Sequence, residues 1–333
     1  VALVRPPIDR EPAIGLHLPL EFELELISAD LSQPGLGLSS YDRRTLQSTD
    51  FDCVVHSGAH VDHVRAYHQM KAANVTACDE LVELLAHSKP RFVFVSSVSA
   101  ACTGASETID GTPENAVTAL GGYGQSKWVA ERRLAAARQH GLIRSLCVVR
   151  LGLIGPHSQT AEANVADWFQ LFLTAVVAVR CVPDMPADSA VEMLPVDAAV
   201  HALATLAAAE EADHAEVAVL HVDARAATIE PSPVLPLLSA AGGDSWPQVS
   251  YAEWHARVRA HGGIAEKALA VLPAPDRVQY FRLPSASDLQ RSGHVTTLIA
   301  SSGVQRDCYN NITFHRLWAK HAKTRVDISH TDN

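Results

Sequence analysis

The first half of the chain alternates short apolar runs with amphipathic stretches. The apolar runs predict five strands, at residues 1–4, 22–27, 53–55, 92–95 and 145–149. Residues 67–87 have apolar positions at helical spacing, and the composition of residues 123–140 indicates a second helix. Strands that alternate with helices in this order predict βα units on a parallel sheet.

The pattern changes after residue 155. The second half of the chain is rich in alanine and helical in character, with one late strand predicted at residues 221–222. The most apolar stretch, residues 168–182, contains Gln170 and Arg180 and is shorter than the roughly 20 apolar residues of a membrane span. We therefore predict a buried helix there, a first domain at residues 1–155 and a mixed second lobe at residues 156–333, with some segments that return to the sheet.

Composition and charge narrow the function classes. The chain has 333 residues, of which 47% are hydrophobic and 19% charged, and a net charge of −10. Such a chain can bury a sizeable core. Nucleic acids and anionic membranes carry many phosphates and normally bind basic proteins, whereas this chain is acidic. We expect no nucleic acid or membrane partner. Because the first residues lack a basic segment followed by a long apolar run, we expect the cytoplasm as the location.

Metal-binding patterns are absent from the sequence. The six cysteines are scattered without a C-x-x-C pair, and none of the seventeen histidines falls in an H-E-x-x-H motif. Zinc sites and disulfide frameworks normally show such spacings. We therefore predict no metal site.

The strongest local signal is Tyr123 followed four residues later by Lys127. On a helix the two side chains share one face. An ammonium group nearby favours the phenolate, so we expect Lys127 to lower the pKa of Tyr123 towards neutrality. A tyrosine of that kind exchanges a proton with a carbonyl oxygen. A single Y-x-x-x-K match is common by chance, however, and its meaning depends on context.

That context is a serine-rich strand end upstream. Ser96, Ser97 and Ser99 follow the apolar run at residues 92–95. Ligands of open α/β sheets bind beyond the carboxyl ends of the strands. A hydroxyl group there could donate a hydrogen bond to a carbonyl oxygen as negative charge develops on it. Without the tyrosine, Ser96 and Ser97 would be interpreted as a polar strand end or a helix cap.

Several segments together resemble a known family. Extended short-chain dehydrogenase/reductases have comparable segments in the same order, here HSGA at 56–59, ANV at 73–75, VSS at 95–97, Y-x-x-x-K at 123–127 and RLG at 150–152. More narrowly, the chain resembles the thioester reductase domains that end nonribosomal peptide synthetases, polyketide synthases and carboxylic acid reductases. The most discriminating segments are GGYGQSKW at 121–128 and PVD at 195–197, supported by ADLSQP at 29–34 and SYAEW at 250–254.

The resemblance implies a fold and a catalytic set. The fold is a Rossmann-type doubly wound parallel α/β sheet with a smaller, mostly helical C-terminal substrate lobe. Ser97 would hold the carbonyl oxygen, with Ser99 as the alternative. Tyr123 would be the general acid, and Lys127 would support it while both residues contact the cofactor.

The resemblance also implies a cofactor, NADPH, and residues that bind it. Arg5 would pair with the 2′-phosphate, since a guanidinium suits phosphate well. Asp30 and Leu31 would lie at the adenine. Gly58, Ala59 and His60, which follow the strand predicted at residues 53–55, would also line the cofactor. Asn74 is interpreted as structural, with its side chain bonded to the backbone of its own helix.

The implied reaction is reductive release of an acyl chain. An acyl or peptidyl carrier protein would present the chain as a phosphopantetheine thioester. NADPH-dependent reduction would give an aldehyde, and a second round would give an alcohol. The alternatives are another extended short-chain reductase or an epimerase, and a non-catalytic domain that docks a carrier protein.

One feature of the family pattern has no counterpart in this sequence. Dinucleotide-binding folds open with a strand and a glycine-rich turn that meets the pyrophosphate. No G-x-G-x-x-G or G-x-x-G-x-x-G occurs in the chain. The sequence is expected to begin at the family's second strand, with the first strand and the glycine-rich turn missing. Truncation is the preferred explanation; the others are a different segment that supplies the turn, and loss of cofactor binding.

Overall fold

The computed structural model describes residues 1–5, 24–62, 65–102, 104–160, 162–164, 166–184, 191–209, 217–222, 228–229, 246–270 and 275. These residues belong to two compact units. The first lies within Val1–Arg150 and Leu206–Leu220, and the second within Leu151–Thr205 and His221–Asn333. The predicted division at residue 155 stays a prediction.

The first unit contains two sheets. A parallel pair is formed by β1 (Ala2–Val4) and β2 (Leu26–Ser28). A four-stranded sheet has the order β3-β4-β5-β9, with strands β3 (Cys53–His56), β4 (Arg91–Ser97), β5 (Ser145–Leu151) and β9 (Val217–Val222); the last residue of β5 and the last two of β9 are counted in the second unit. Strands β3 and β4 are parallel. The pattern of alternating strands and helices therefore gives the α/β Rossmann-type fold that the sequence predicts.

The helices of the first unit connect these strands. They are α1 (Ser40–Ser48), α2 (Tyr67–Lys71), a π-helical turn at Ala72–Thr76, α3 (Ala77–Leu85) and α4 (Gly121–Gln139). Short 3-10 helices lie at Pro34–Gly37, Val98–Ala100, Ile109–Gly111 and Glu114–Leu120. Helix α1 begins after Ser39, whose side chain accepts a hydrogen bond from the Asp42 backbone and so caps the first turn.

The hydrophobic core of the four-stranded sheet explains why α4 packs where it does. Phe92 and Phe94 of β4 and Val148 of β5 are buried in one cluster with Ala130 and Leu134 of α4. All residues of β5 are buried, as expected for a strand of a parallel sheet that is covered on both faces. This packing fixes α4 against the strand ends.

The second unit combines helices with short strands. Its elements are β6 (Leu153–Gly155), α5 (Trp168–Val179), β7 (Val182–Pro183), β8 (Val191–Pro195), α6 (Val196–Ala208, which ends in the first unit), β10 (Thr228–Ile229), β11 (Gln248–Val249), α7 (Tyr251–His261), α8 (Gly263–Glu266) and a 3-10 helix at Lys267–Ala270. Strand β8 lies between β6 and β10, and β11 pairs with β7. Helices α5 and α7 share a core that contains Phe172 and Trp254.

Two sequence predictions need correction. The strand predicted at residues 22–27 is Leu26–Ser28, because only Ile27 in this stretch is buried; residues 22 and 23 lie outside the described part. The second half contains more strands than predicted, since β6, β7, β8, β10 and β11 are two to five residues long and too short to show a period. The buried helix predicted within residues 168–182 is present as α5. In the part of the chain that is described, no helix is long and apolar enough to cross a membrane.

One glycine sets how closely α4 approaches the end of β4. A Cβ atom on Gly124 would lie 2.1 Å from the Ser99 carbonyl oxygen. We therefore expect Gly124→Ala to lower the free energy of unfolding by about 1–3 kcal/mol, as overpacking does. Urea unfolding checks this. Gly152→Ala is the matched control, because nothing lies within 4 Å of its added Cβ. Equal stabilities of the two variants would contradict the close contact.

Candidate active site

Strand β4 and helix α4 bring Ser97 and Tyr123 together. Ser97 is the last residue of β4, and Tyr123 lies in the first turn of α4. Their side chains form a hydrogen bond. The Ser97 hydroxyl also accepts a hydrogen bond from the Ser99 backbone at 3.1 Å, so it caps the short 3-10 helix that follows. Ser97 therefore caps this 3-10 helix and also contacts Tyr123, while the Ser99 backbone N–H holds the Ser97 hydroxyl.

Lys127 lies one turn further along α4 and is 2% exposed. Its Nζ atom donates a hydrogen bond of 2.8 Å to the Val95 carbonyl oxygen and lies 4.6 Å from the centre of the Phe94 ring. Burial lowers the pKa of Lys127 to about 8, although Cys78 and Glu131 oppose that change. The ammonium group is thus anchored to β4 beneath the tyrosine.

The prediction that Lys127 lowers the pKa of Tyr123 is wrong. Burial raises the pKa of the Tyr123 phenol to about 12, and the hydrogen bond with Ser97 only partly offsets this. Desolvation disfavours the phenolate, and the Lys127 ammonium group donates to Val95. Tyr123 is therefore a neutral phenol near pH 7, which can donate a proton or a hydrogen bond.

A buried ion pair lies below this site and was not predicted. Arg150 Nη2 and Glu131 Oε2 are 2.7 Å apart, and both side chains are 0% exposed. Glu131 Oε1 accepts a second bond from Arg150 Nε at 3.0 Å and a bond from the Ser96 hydroxyl at 2.5 Å. Because Glu131 is four residues after Lys127, the helical spacing that pairs Tyr123 with Lys127 also places Glu131 on this face.

Asn74 connects the segment after β3 to helix α4. Its Oδ1 atom accepts a hydrogen bond from the His60 backbone N–H at 2.7 Å, and its Nδ2 atom donates to the His60 carbonyl oxygen at 2.9 Å. Nδ2 also donates to the Ser126 hydroxyl, which donates to the Tyr123 carbonyl oxygen. Asn74 does bond backbone, as predicted, but the backbone is that of His60 rather than of its own helix.

A cavity of about 590 Å³ lies beside β1 and β3, and we refer to it as the edge cavity. Arg5, Leu31, Gly58 and Ala59 line it, which are four of the predicted cofactor-binding residues. A Cβ atom on Gly58 would lie 2.7 Å from Leu31 Cδ1, so the Leu31 side chain would have to shift to accept a larger residue there. His60, Tyr123 and Lys127 lie outside this lining.

Asp30 follows β2 and faces solvent. Its carboxylate accepts hydrogen bonds from the Ser32 backbone at 2.9 Å and the Ser32 hydroxyl at 2.7 Å. These bonds, with a smaller contribution from the Arg5 guanidinium, hold its pKa below the usual range. Asp30 therefore stays ionised beside the end of β1 and does not line the edge cavity.

Among the described residues, no group of three or more His, Cys, Asp or Glu side chains could hold a metal ion. The described site has two hydroxyl groups, those of Ser97 and Tyr123, the Lys127 ammonium group, and the edge cavity with its small residues and Arg5.

Comparison with known proteins identifies the family. The family model for the male sterility protein, an NAD-binding domain, matches residues 17–203, more than half of the chain. The chain belongs to this family. It is also similar to a linear gramicidin synthase polypeptide from Brevibacillus parabrevis, with 32% identity over 204 residues, which is 60% of this chain and 4% of that protein.

A second relative is similar over about half of the chain, and two solved structures share its fold. The large subunit of L-2-aminoadipate reductase from Candida glabrata is 32% identical over 190 residues, 52% of this chain and 14% of that protein. The chain thus spans a small part of both relatives. The terminal R domain of the myxalamid PKS-NRPS pathway superposes with a TM-score of 0.70, at 22% identity, over 97% of this chain and 83% of that one. An archaeal thiolation-reductase di-domain gives 0.68, at 15% identity, over 98% and 70%.

The stability of this family member should depend on pH through His56. The ring is buried at the end of β3 and stacks on Phe94, with centroids 5.7 Å apart. Burial, helped by the Lys127 charge, lowers its pKa from 6.5 to about 3. Between those values the unfolded chain binds a proton that the folded chain does not. The stabilisation is therefore complete above pH 6.5 and decreases as the pH falls towards 3.

We expect the free energy of unfolding to fall by about 1.6 kcal/mol between pH 6.5 and pH 5 because of His56, with a slope that rises towards about 1.4 kcal/mol per pH unit as the unfolded imidazole becomes fully protonated. In His56→Phe this decrease should disappear. Urea unfolding at several pH values measures it, with His140→Phe, a change to an exposed ring, as the matched control. An equal decrease in wild type and His56→Phe would contradict the assignment.

Proposed function

We propose that this chain reduces an acyl thioester to an aldehyde with NADPH. The observation that carries this proposal is the hydrogen bond between Ser97 and Tyr123 at a strand end, above the buried Lys127. The similarity to an L-2-aminoadipate reductase and to parts of peptide synthetases supports the same reaction class.

The roles follow from the geometry of the chain's own residues. When bound, NADPH would supply a hydride to the thioester carbon. Ser97 would donate a hydrogen bond to the thioester oxygen, and Tyr123, a neutral phenol near pH 7, would transfer its proton to that oxygen. The resulting thiohemiacetal would lose its thiol as the C–S bond breaks, which leaves the aldehyde. Lys127 would support Tyr123 by fixing the first turns of α4 to β4 through its hydrogen bond to the Val95 carbonyl oxygen.

The edge cavity fits part of a dinucleotide. Gly58 and Ala59 allow close approach of a ligand to the backbone after β3, and Arg5 offers a guanidinium for a phosphate. Asp30 and Leu31 would lie at the adenine, and His60 would flank the cofactor on the segment that Asn74 holds. Arg5 would give a preference for NADPH over NADH, because only NADPH carries the 2′-phosphate that its guanidinium would bind.

Replacing Arg5 tests that preference. A hydrogen bond to a charged group contributes about 1.5–3 kcal/mol, so Arg5→Ala should raise the Kd for NADPH by about tenfold or more. The Kd for NADH should not change. Fluorescence titration measures both, and Arg44→Ala, a change to an arginine outside the cavity, is the control. Equal weakening for both cofactors would contradict a role for Arg5 at the 2′-phosphate.

The proposed partner is an acyl or peptidyl carrier protein that presents its chain on phosphopantetheine. The support is the fold shared with a thiolation-reductase di-domain and with an R domain of a PKS-NRPS pathway. The chain's helical second unit would then provide the substrate lobe.

An activity assay tests the proposal as a whole. The full chain is incubated with NADPH and octanoyl-phosphopantetheine on a carrier protein, and the aldehyde is measured by mass spectrometry. We expect one NADPH oxidised for each octanal formed. Conversion of a nucleotide sugar instead would indicate an epimerase. Carrier-protein binding without NADPH oxidation would indicate a non-catalytic docking domain.

A further inference from the structure

The loop after β2 closes on itself through backbone hydrogen bonds. The Asp30 backbone N–H donates to the Leu36 carbonyl oxygen at 2.8 Å, and the Gln33 backbone N–H donates to the Asp30 carbonyl oxygen at 3.0 Å. We refer to residues 30–37 as the Asp30 loop. Because Leu36 bonds directly to Asp30, the position of Asp30 and of its neighbour Leu31 depends on where Leu36 is held.

Leu36 has a backbone conformation that leucine rarely adopts. Its φ is 60°, and the flanking Gly35 and Gly37 have φ values of 63° and 64°. Glycine adopts this left-handed conformation readily, whereas it is unfavourable for a residue with a Cβ atom. A leucine keeps such a conformation only where its surroundings hold it there.

Two contacts hold Leu36. Its side chain is 0% exposed and lies in an apolar cluster with Ile27 and Leu81. Its backbone N–H lies 3.0 Å from Glu80 Oε2 and 3.0 Å from the Gln33 carbonyl oxygen, and donates to both. The carboxylate is the stronger acceptor of the two because it is charged. Glu80 is a residue of α3, so this bond ties the Asp30 loop to that helix.

The other side of the Asp30 loop contacts the segment after β3. Leu31 and Gly58 both line the edge cavity, and Leu31 Cδ1 lies only 2.7 Å from the place that a Gly58 Cβ atom would take. Glu80 is not part of that lining. Glu80 therefore acts on a ligand beside Leu31 through the loop and not by contact.

We propose that Glu80 is a positioning residue for the adenine end of the cofactor. Its carboxylate holds Leu36 in the left-handed conformation, and Leu36 holds Asp30, which would lie with Leu31 at the adenine. This proposal deepens the proposed function and rests on it for the place of the adenine. Without the Glu80 carboxylate, a smaller fraction of the free chain has the loop in the binding arrangement, and the apparent Kd rises in proportion.

The test measures the Kd of the full chain for adenosine 2′,5′-bisphosphate, NADPH and NADH, and kcat for thioester reduction at saturating NADPH. Glu80→Ala should raise all three Kd values by about 3- to 10-fold, the range expected for the loss of one hydrogen bond. The value of kcat should stay within about twofold of wild type, since a loop that acts only on affinity is ordered once the cofactor is bound. Arg5→Ala differs, because it should leave the Kd for NADH unchanged.

Three further variants make the test specific. Glu80→Gln keeps an acceptor oxygen for the Leu36 N–H and should bind all three ligands within about twofold of wild type. Glu83→Ala, a change to an exposed glutamate on the same helix, is the matched control and should leave every Kd unchanged. If Glu80→Ala does not fold, Glu80→Asp takes its place, because its side chain keeps the charge but is too short for this bond.

The outcomes separate this proposal from the proposed function. Unchanged Kd values in Glu80→Ala, or equal weakening in Glu80→Ala and Glu80→Gln, overturn the positioning role and leave the proposed function standing. A lower kcat with unchanged Kd values also overturns it. Weaker ligand binding in Glu80→Ala, by a chain that forms no aldehyde, supports the positioning role and contradicts the proposed reaction. A wild type that binds none of the three ligands overturns both.

Discussion

Tyr123→Phe is expected to lower kcat for NADPH-dependent thioester reduction by about 10²- to 10⁴-fold, the contribution typical of a positioned general acid. The phenol is the group that would protonate the thioester oxygen, and its raised pKa keeps it protonated near pH 7. Stopped-flow measurement of NADPH oxidation under single-turnover conditions reports the chemical step directly.

The same variant should keep its affinity for NADPH and its fold. The Tyr123 hydroxyl contacts Ser97, and the described α4 backbone does not depend on that hydroxyl. Ser97→Ala is the companion variant and should lower kcat, with a loss of about 0.5–2 kcal/mol in the free energy of unfolding because its hydroxyl also caps the 3-10 helix at Val98–Ala100. If Tyr123→Phe retains full kcat, the proton comes from another group and the catalytic assignment is wrong.

Arg150→Leu is expected to lower the free energy of unfolding by about 3–5 kcal/mol, because it leaves the buried Glu131 carboxylate without its cation. The Ser96 hydrogen bond and the charge of Lys127 would then only partly offset a carboxylate that is fully removed from water. Chemical denaturation at pH 7 measures the loss.

Two further variants make this prediction specific. The double variant Glu131→Leu and Arg150→Leu removes both charges and should recover most of the stability, as replaced buried pairs often do. Arg133→Leu breaks an ion pair with Asp79 whose side chains are 58% and 36% exposed, and should cost less than about 1 kcal/mol. Similar losses for Arg150→Leu and Arg133→Leu would contradict the buried pair.

The sequence predicted elements whose signal is local. The continuous apolar run before Ser97 gives β4, and the spacing of Tyr123 and Lys127 places both on α4. The family and the α/β fold are confirmed by the family match and by the neighbouring structures. Strand β2 was misplaced because its alternating apolar and charged residues extend beyond the part that pairs with β1.

Contacts between distant parts of the chain were not predictable from periodicity. The bond from Lys127 to Val95 and the link from Asn74 to His60 join different elements, and only the fold brings them together. The pKa of Tyr123 was misjudged for the same reason, since burial is a tertiary property. Glu131 was within reach of sequence reasoning, because it continues the helical face of Lys127.

The proposed function rests on hydride transfer to a thioester carbon by this chain. The most direct measurement is a single turnover with NADPH deuterated at C4 on both faces and octanoyl-phosphopantetheine on a carrier protein, followed by mass spectrometry of the product. We expect octanal with one deuterium on its carbonyl carbon, formed by wild type and formed about 10²- to 10⁴-fold more slowly by Tyr123→Phe. Octanoic acid, or octanal without deuterium, would contradict it.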